Sequence, residues 1–153
     1  DVPDIRELFK IFYPNYETLI KERKTRELWI EPYDISNYLK KYHKIEGENL
    51  IYITEHIDVN RMLKTDIKTY IELDTIYNQK DFNKLVTKMQ RHFLKSKIPI
   101  VIDDGTFSYC VLDISKYEIS ILDPHKLQKS KTIYKRDLNF FKKSFWMIYI
   151  PNI

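Results

Sequence analysis

The hydrophobic pattern changes period along the chain, and each change marks an element. Ile98–Ile102 is a continuous apolar run, the pattern of a strand buried on both faces. Asp103-Asp104-Gly105 breaks it, and Thr106–Ile114 and Glu118–Leu122 follow as two strands around the polar link Ser115-Lys116-Tyr117. Asp123-Pro124-His125 ends the second, because proline cannot donate to a ladder. Helical spacing dominates elsewhere. Pro3–Phe12 carries Ile5, Leu8, Phe9 and Phe12 on one face, with Pro3, Asp4 and Glu7 suited to a first turn. Asn15–Arg26 is charged, with Tyr16, Leu19 and Ile20 as one helical face. Pro32–Tyr42 points Ile35, Leu39 and Tyr42 inward, and Asp81–Lys95 has the clearest stripe, Phe82, Leu85, Val86, Met89 and Phe93.

The remaining segments are shorter. Leu28-Trp29-Ile30 reads as a buried link, Glu46-Gly47-Glu48 as a turn, and Leu50–Thr54 as a strand. His56–Lys64 reads as a short helix, and Lys68–Tyr77 alternates as an exposed or edge strand. Lys126–Arg136 is a basic connector, Asp137–Phe141 a helical turn, and Phe145–Ile150 a final aromatic strand. Mixed helices and strands without repeat or linker predict one α+β domain over residues 1–153, a mixed or antiparallel central sheet with helices packed on it.

In an extended chain residues two apart share a face, so Asp123 and His125 are expected to project together from the sheet rim. A carboxylate beside an imidazole is the orienter-and-base half of a nucleophilic triad, and such a pair would raise the imidazole pKa. The strand–link–strand–Asp-Pro-His order resembles the C-terminal half of papain-like cysteine proteases specific for ubiquitin-fold modifier 1, here called the modifier proteases. Val2–Glu7 resembles a helix start of that family, Trp29-Ile30 with the helix at Asp34–Tyr42 its Trp-Ile segment, and Leu50–Thr54 its next strand. Leu85–Phe93 resembles the helix before its hairpin, and Ile98–Ile102 its strand before a glycine cluster, here replaced by Asp103-Asp104-Gly105. Phe145-Trp146 and Ile148–Pro151 resemble its closing strand.

The family's nucleophile lies in a Gly-Trp-Gly-Cys motif on an N-terminal helix, with an oxyanion tyrosine upstream. That motif is absent from this sequence. The resemblance thus implies Asp123 and His125 as a relic of the triad without its nucleophile, in a catalytically inactive papain-like half that binds protein. The alternatives are an active protease or deconjugase whose nucleophile segment lies outside this chain, and a basic nucleic-acid-binding module. The partners implied are the ubiquitin-fold modifier, a host factor or a second copy of the chain; no cofactor or metal is implied.

Composition changes this picture in four places. The absence of alanine and the abundance of Ile, Lys and Tyr read as the coding bias of an AT-rich genome, a virus or parasite, so the location expected is the cytoplasm, the host's if viral. One cysteine excludes an internal disulfide and a cysteine-based zinc site within the monomer. Cys110 lies in a hairpin strand and reads as a buried core residue, with nothing local to activate it. His43, His56, His92 and His125 have no metal-ligand spacing, two glycines cannot make a phosphate loop, and no run approaches a membrane span.

The net charge of +4 leaves a basic run to explain: Lys126, Lys129, Lys131, Lys135, Arg136, Lys142 and Lys143, interleaved with Tyr134, Phe140 and Phe141. With 22 acidic residues spread through the chain, a solvated face is favoured over a nucleic-acid groove.

Overall fold

Trp146–Asn152, the last strand of the chain, is the middle of the sheet rather than its closing edge. Six of its seven residues are buried, which only a strand flanked and covered on both faces requires. The structure is a computed structural model describing residues 5–23, 30–55, 57–123 and 133–152. These form an α+β fold, a seven-stranded mixed sheet with helices packed on it. In chain order the helices are α1 (Ile5–Phe12), α2 (Tyr16–Lys21), α3 (Pro32–His43), α4 (Val59–Met62), α5 (Ile67–Glu72), α6 (Phe82–Lys95) and α7 (Asn139–Lys142). The strands are β1 (Glu46–Tyr52), β2 (Ile76–Tyr77), β3 (Ile100–Asp103), β4 (Ser108–Ile114), β5 (Glu118–Leu122), β6 (Ile133–Asp137) and β7 (Trp146–Asn152).

The strand order is β2-β1-β7-β3-β4-β5-β6, antiparallel throughout except for the parallel pair β1–β2. One face carries the larger core, where Phe82, Leu85, Val86 and Met89 of α6 meet Ile100, Ile102, Val111, Ile119, Ile121 and Trp146. The other face carries Ile51, Phe145 and Met147, covered by Tyr70 and by half-buried Tyr33, Met62 and Ile67. A bulge at Leu112 keeps both Val111 and Ile114 inward, against Ile121 and Ile119.

Several sequence expectations hold: the hairpin, the α6 stripe and the short helices at 59–62 and 139–142; of the α2 face Tyr16, Leu19 and Ile20, only Leu19 is buried and Ile20 is exposed. Others need correction. Residues 46–48 open β1 rather than forming a turn, because Gly47 pairs with Pro151 and lies under the Tyr149 ring. Residues 67–72 are helical, started by Asp66, whose Oδ1 accepts from Lys68 N at 3.0 Å, and anchored by buried Tyr70. Only Ile76–Tyr77 remains a strand, and it is an edge. The end of the basic connector is strand β6, paired along β5. On α3 the buried residues are Pro32 and Ser36, whose hydroxyl accepts from Asn49 Nδ2 at 2.8 Å, while Ile35 and Leu39 are half-buried and Tyr42 is exposed. Of the expected α1 stripe, Phe12 rests edge-on against Tyr38; the side chains of Ile5, Leu8 and Phe9 fall outside those described, as do Trp29 and His56.

Gly47 yields the first prediction. A Cβ there would overlap Cε1 and Cζ of Tyr149, a ring only 1% exposed, so the ring would have to shift within a packed site. Gly47→Ala should therefore destabilise the fold by about 2 kcal/mol. The measurement is the urea midpoint, and a loss under about 0.5 kcal/mol would show that Tyr149 relocates freely.

Candidate functional site

One rim of the sheet gathers the ends of β1, β3 and β5 and the starts of β4, β6 and β7, because these neighbours alternate in direction. Asp123 lies here, one residue beyond β5, as the strand pattern predicts. It does not project into solvent. Asp123 is 5% exposed, and its Oδ2 accepts from the Tyr134 hydroxyl at 3.3 Å. Burial holds the Tyr109 and Tyr134 phenols above their ordinary pKa, with the charge of Asp123 adding at Tyr134 and those of Asp104 and then Asp123 adding at Tyr109. Tyr109 is itself packed edge-on against Phe140 and Trp146. The expected rim contact is thus a carboxylate embedded among aromatic rings. His125, its expected partner, and the lysines at 126, 129 and 131 lie outside the described residues.

The register separates Asp123 from the thiol. Cys110 pairs with Leu122 across β4–β5, so those two share a face, and the next residue, Asp123, turns to the other. Cys110 also pairs with Val101 and lies half-buried among partly covered neighbours, not in the core. Burial pushes its thiol pKa up, the reverse of what a nucleophile needs.

The Asp103-Asp104-Gly105 segment is a tight turn stabilised by its own carboxylates. Asp103 accepts from Gly105 N at 2.7 Å and from Ser108 Oγ at 2.6 Å. Asp104 Oδ1 accepts from Thr106 N and Phe107 N at 2.8 and 2.7 Å. Gly105 has φ +94°, and a Cβ there would lie 2.6 Å from Met62 Cε. Burial holds the Asp103 carboxyl above its ordinary pKa despite the opposing hydrogen bonds. A carboxyl raised on folding favours the native state below its unfolded pKa and loses that contribution as pH rises through its folded value. Relative to wild type, Asp103→Asn should therefore gain stability as pH rises past about 3.9. Paired urea curves across that range test this; a relative gain by wild type would refute it.

Sequence reading missed Glu31, the fully buried carboxylate that precedes α3. Its Oε1 accepts from Thr65 N at 2.8 Å and Thr65 Oγ1 at 2.7 Å, and its Oε2 from Lys64 N at 2.7 Å. A glutamate directly before Pro32 is a weak signal, since residues at this position are usually Ser, Thr, Asp or Asn.

Among the described residues no group of three or more His, Cys, Asp or Glu is arranged to hold a metal, and no helix is long and apolar enough to cross a membrane. No protein-family model matches the chain, and no curated protein matches its sequence. The resemblance to the modifier proteases therefore rests on the residues and the order of elements themselves.

Proposed function

We propose that this chain is a catalytically inactive relative of the modifier proteases that acts in the cytoplasm as a protein-binding module. Its partner is the ubiquitin-fold modifier or a host factor, the latter if the chain is viral. The carrying observation is the division of chemistry between the sheet faces. Asp123, the carboxylate of the base half, sits among Tyr109 and Tyr134, while the chain's one thiol, Cys110, faces the other way with its pKa raised. Covalent acyl transfer needs a thiolate within reach of its base and an adjacent oxyanion donor. Cys110 does not supply it.

The test is direct. Incubation with a modifier precursor carrying a C-terminal extension should give no cleavage, and a modifier ending in an electrophile should leave Cys110 unlabelled. Turnover, or labelling that disappears in Cys110→Ser, would overturn the reading in favour of a working protease. Titration calorimetry with the mature modifier then tests the first partner: saturable heat assigns the modifier, and its absence excludes it.

A further inference from the structure

The exposed flank of α6 carries Lys84, Lys88, Arg91 and Lys95 at steps of four, three and four residues. On a helix these positions fall on one line, about 16 Å from end to end. Nothing acidic interrupts it, since residues 82–95 contain no Asp or Glu. The line faces away from the buried stripe, and two clefts that share Arg91 lie on either side of it. One, of about 250 Å³, lies between Lys88, Arg91, His92 and Lys95 on α6 and Glu48, Ile150 and Pro151 at the ends of β1 and β7. The other lies along Asn83, Lys84 and Thr87.

One of the molecule's own carboxylates already sits on this line. Glu48 reaches up from β1 and seats on Lys88 at 2.7 Å. His92 is engaged inward, its Nε2 2.6 Å from the Ile98 carbonyl oxygen. Leu94, 86% exposed, stands beside Arg91 on the same flank. A helix terminus favours cations within its last turn, which accounts for Lys95. It does not account for Lys84, eleven residues before the end of the helix.

We infer that this flank of α6 docks an acidic segment of a protein partner, its carboxylates on Arg91 and Lys95 and an apolar side chain against Leu94. This rests on the protein-binding reading above. The apolar floor of Ile150 and Pro151 and the exposed leucine favour a peptide over a nucleic-acid backbone, which would ask for stacking rings in the groove. Charge complementarity of this kind sets specificity and association rate, so binding should weaken steeply with salt.

The experiment uses the whole chain and a short fluorescein-labelled peptide of alternating glutamate and leucine, read by anisotropy at low salt. Arg91→Glu/Lys95→Glu should weaken binding about tenfold or more, whereas Lys116→Glu/Lys143→Glu, the same charge change elsewhere, should leave it nearly unchanged. Thermal melts verify that both pairs fold, and Arg91→Gln/Lys95→Gln serves if the reversed pair does not. Equal weakening by both pairs, or none by the α6 pair, overturns the inference. So does a single-stranded oligonucleotide of equal charge that binds more tightly and displaces the peptide. The two readings fail separately: precursor cleavage would refute the inactive-module reading without altering peptide affinity, and an indifferent α6 pair would leave that reading intact.

Discussion

Trp146→Ala is expected to remove about 4 kcal/mol of unfolding free energy, a large part of the 5–15 kcal/mol typical of a domain. Trp146 is fully buried at the start of β7, stacked on Phe141 at 5.6 Å and met edge-on by Phe140 and Tyr109. Its Nε1 donates to the Phe141 carbonyl at 2.7 Å, and the Tyr52 hydroxyl donates to the Lys142 carbonyl at 2.8 Å. These are carbonyls at the end of α7, a four-residue helix that cannot satisfy them internally. Truncation leaves a cavity and an orphaned acceptor together. Trp146→Phe keeps most of the ring and loses the donor, so it should cost about 1–2 kcal/mol. Urea unfolding followed by far-ultraviolet circular dichroism separates the two. A loss under about 1 kcal/mol for the alanine variant would mean that the aromatic cluster repacks. Tyr109 touches both Trp146 and the surroundings of Asp123, so the same truncation loosens the candidate site.

Local chemistry made much of this legible in the sequence. The α6 stripe, the β4–β5 hairpin and the end of β5 at Asp123 follow from spacing and from turn residues, which depend on near neighbours. What stayed hidden depends on distant residues. Tyr149, about a hundred positions away, makes Gly47 a strand residue under a ring rather than a turn. Residues 67–72 satisfy both a period of two and a period near 3.6, and the decision came from the Asp66 cap and the burial of Tyr70. The position of β7 between β1 and β3 is topology, which a single apolar run cannot express. Asp123 was legible as a position but not as an environment: the tyrosine at its side comes from β6, a segment whose lysines read as a solvated connector. The separation of Cys110 from Asp123 follows from strand parity alone once the register is known.

Glu31 carries the other large effect, and its loss is expected to be felt at a distance in sequence. Glu31→Ala should cost about 3–5 kcal/mol, because it deletes a buried acceptor and strands the donors around it. Those donors, Lys64 N, Thr65 N and the Thr65 hydroxyl, lie in the link between α4 and α5, more than thirty residues on. A second tie runs alongside: Asp34 Oδ2 accepts from Glu31 N at 2.9 Å and from Lys64 Nζ at 2.8 Å. Burial opposes the Lys64 charge, but the bonds to Asp34 and the Tyr13 hydroxyl hold its ammonium above the ordinary pKa. The half-exposed Asp34–Lys64 pair is the weaker tie, so it cannot substitute for the carboxylate. Glu31→Gln separates charge from shape, since one of its two polar atoms becomes a donor aimed at an N–H; an intermediate loss is expected. Hydrogen exchange tests the mechanism independently of the total. In Glu31→Ala the Lys64 and Thr65 amides should exchange faster by a larger factor than those of β7, which open only with the whole sheet. If all amides accelerate together, the carboxylate contributes to global stability without tying the α4–α5 link; if none does, its burial has no such role.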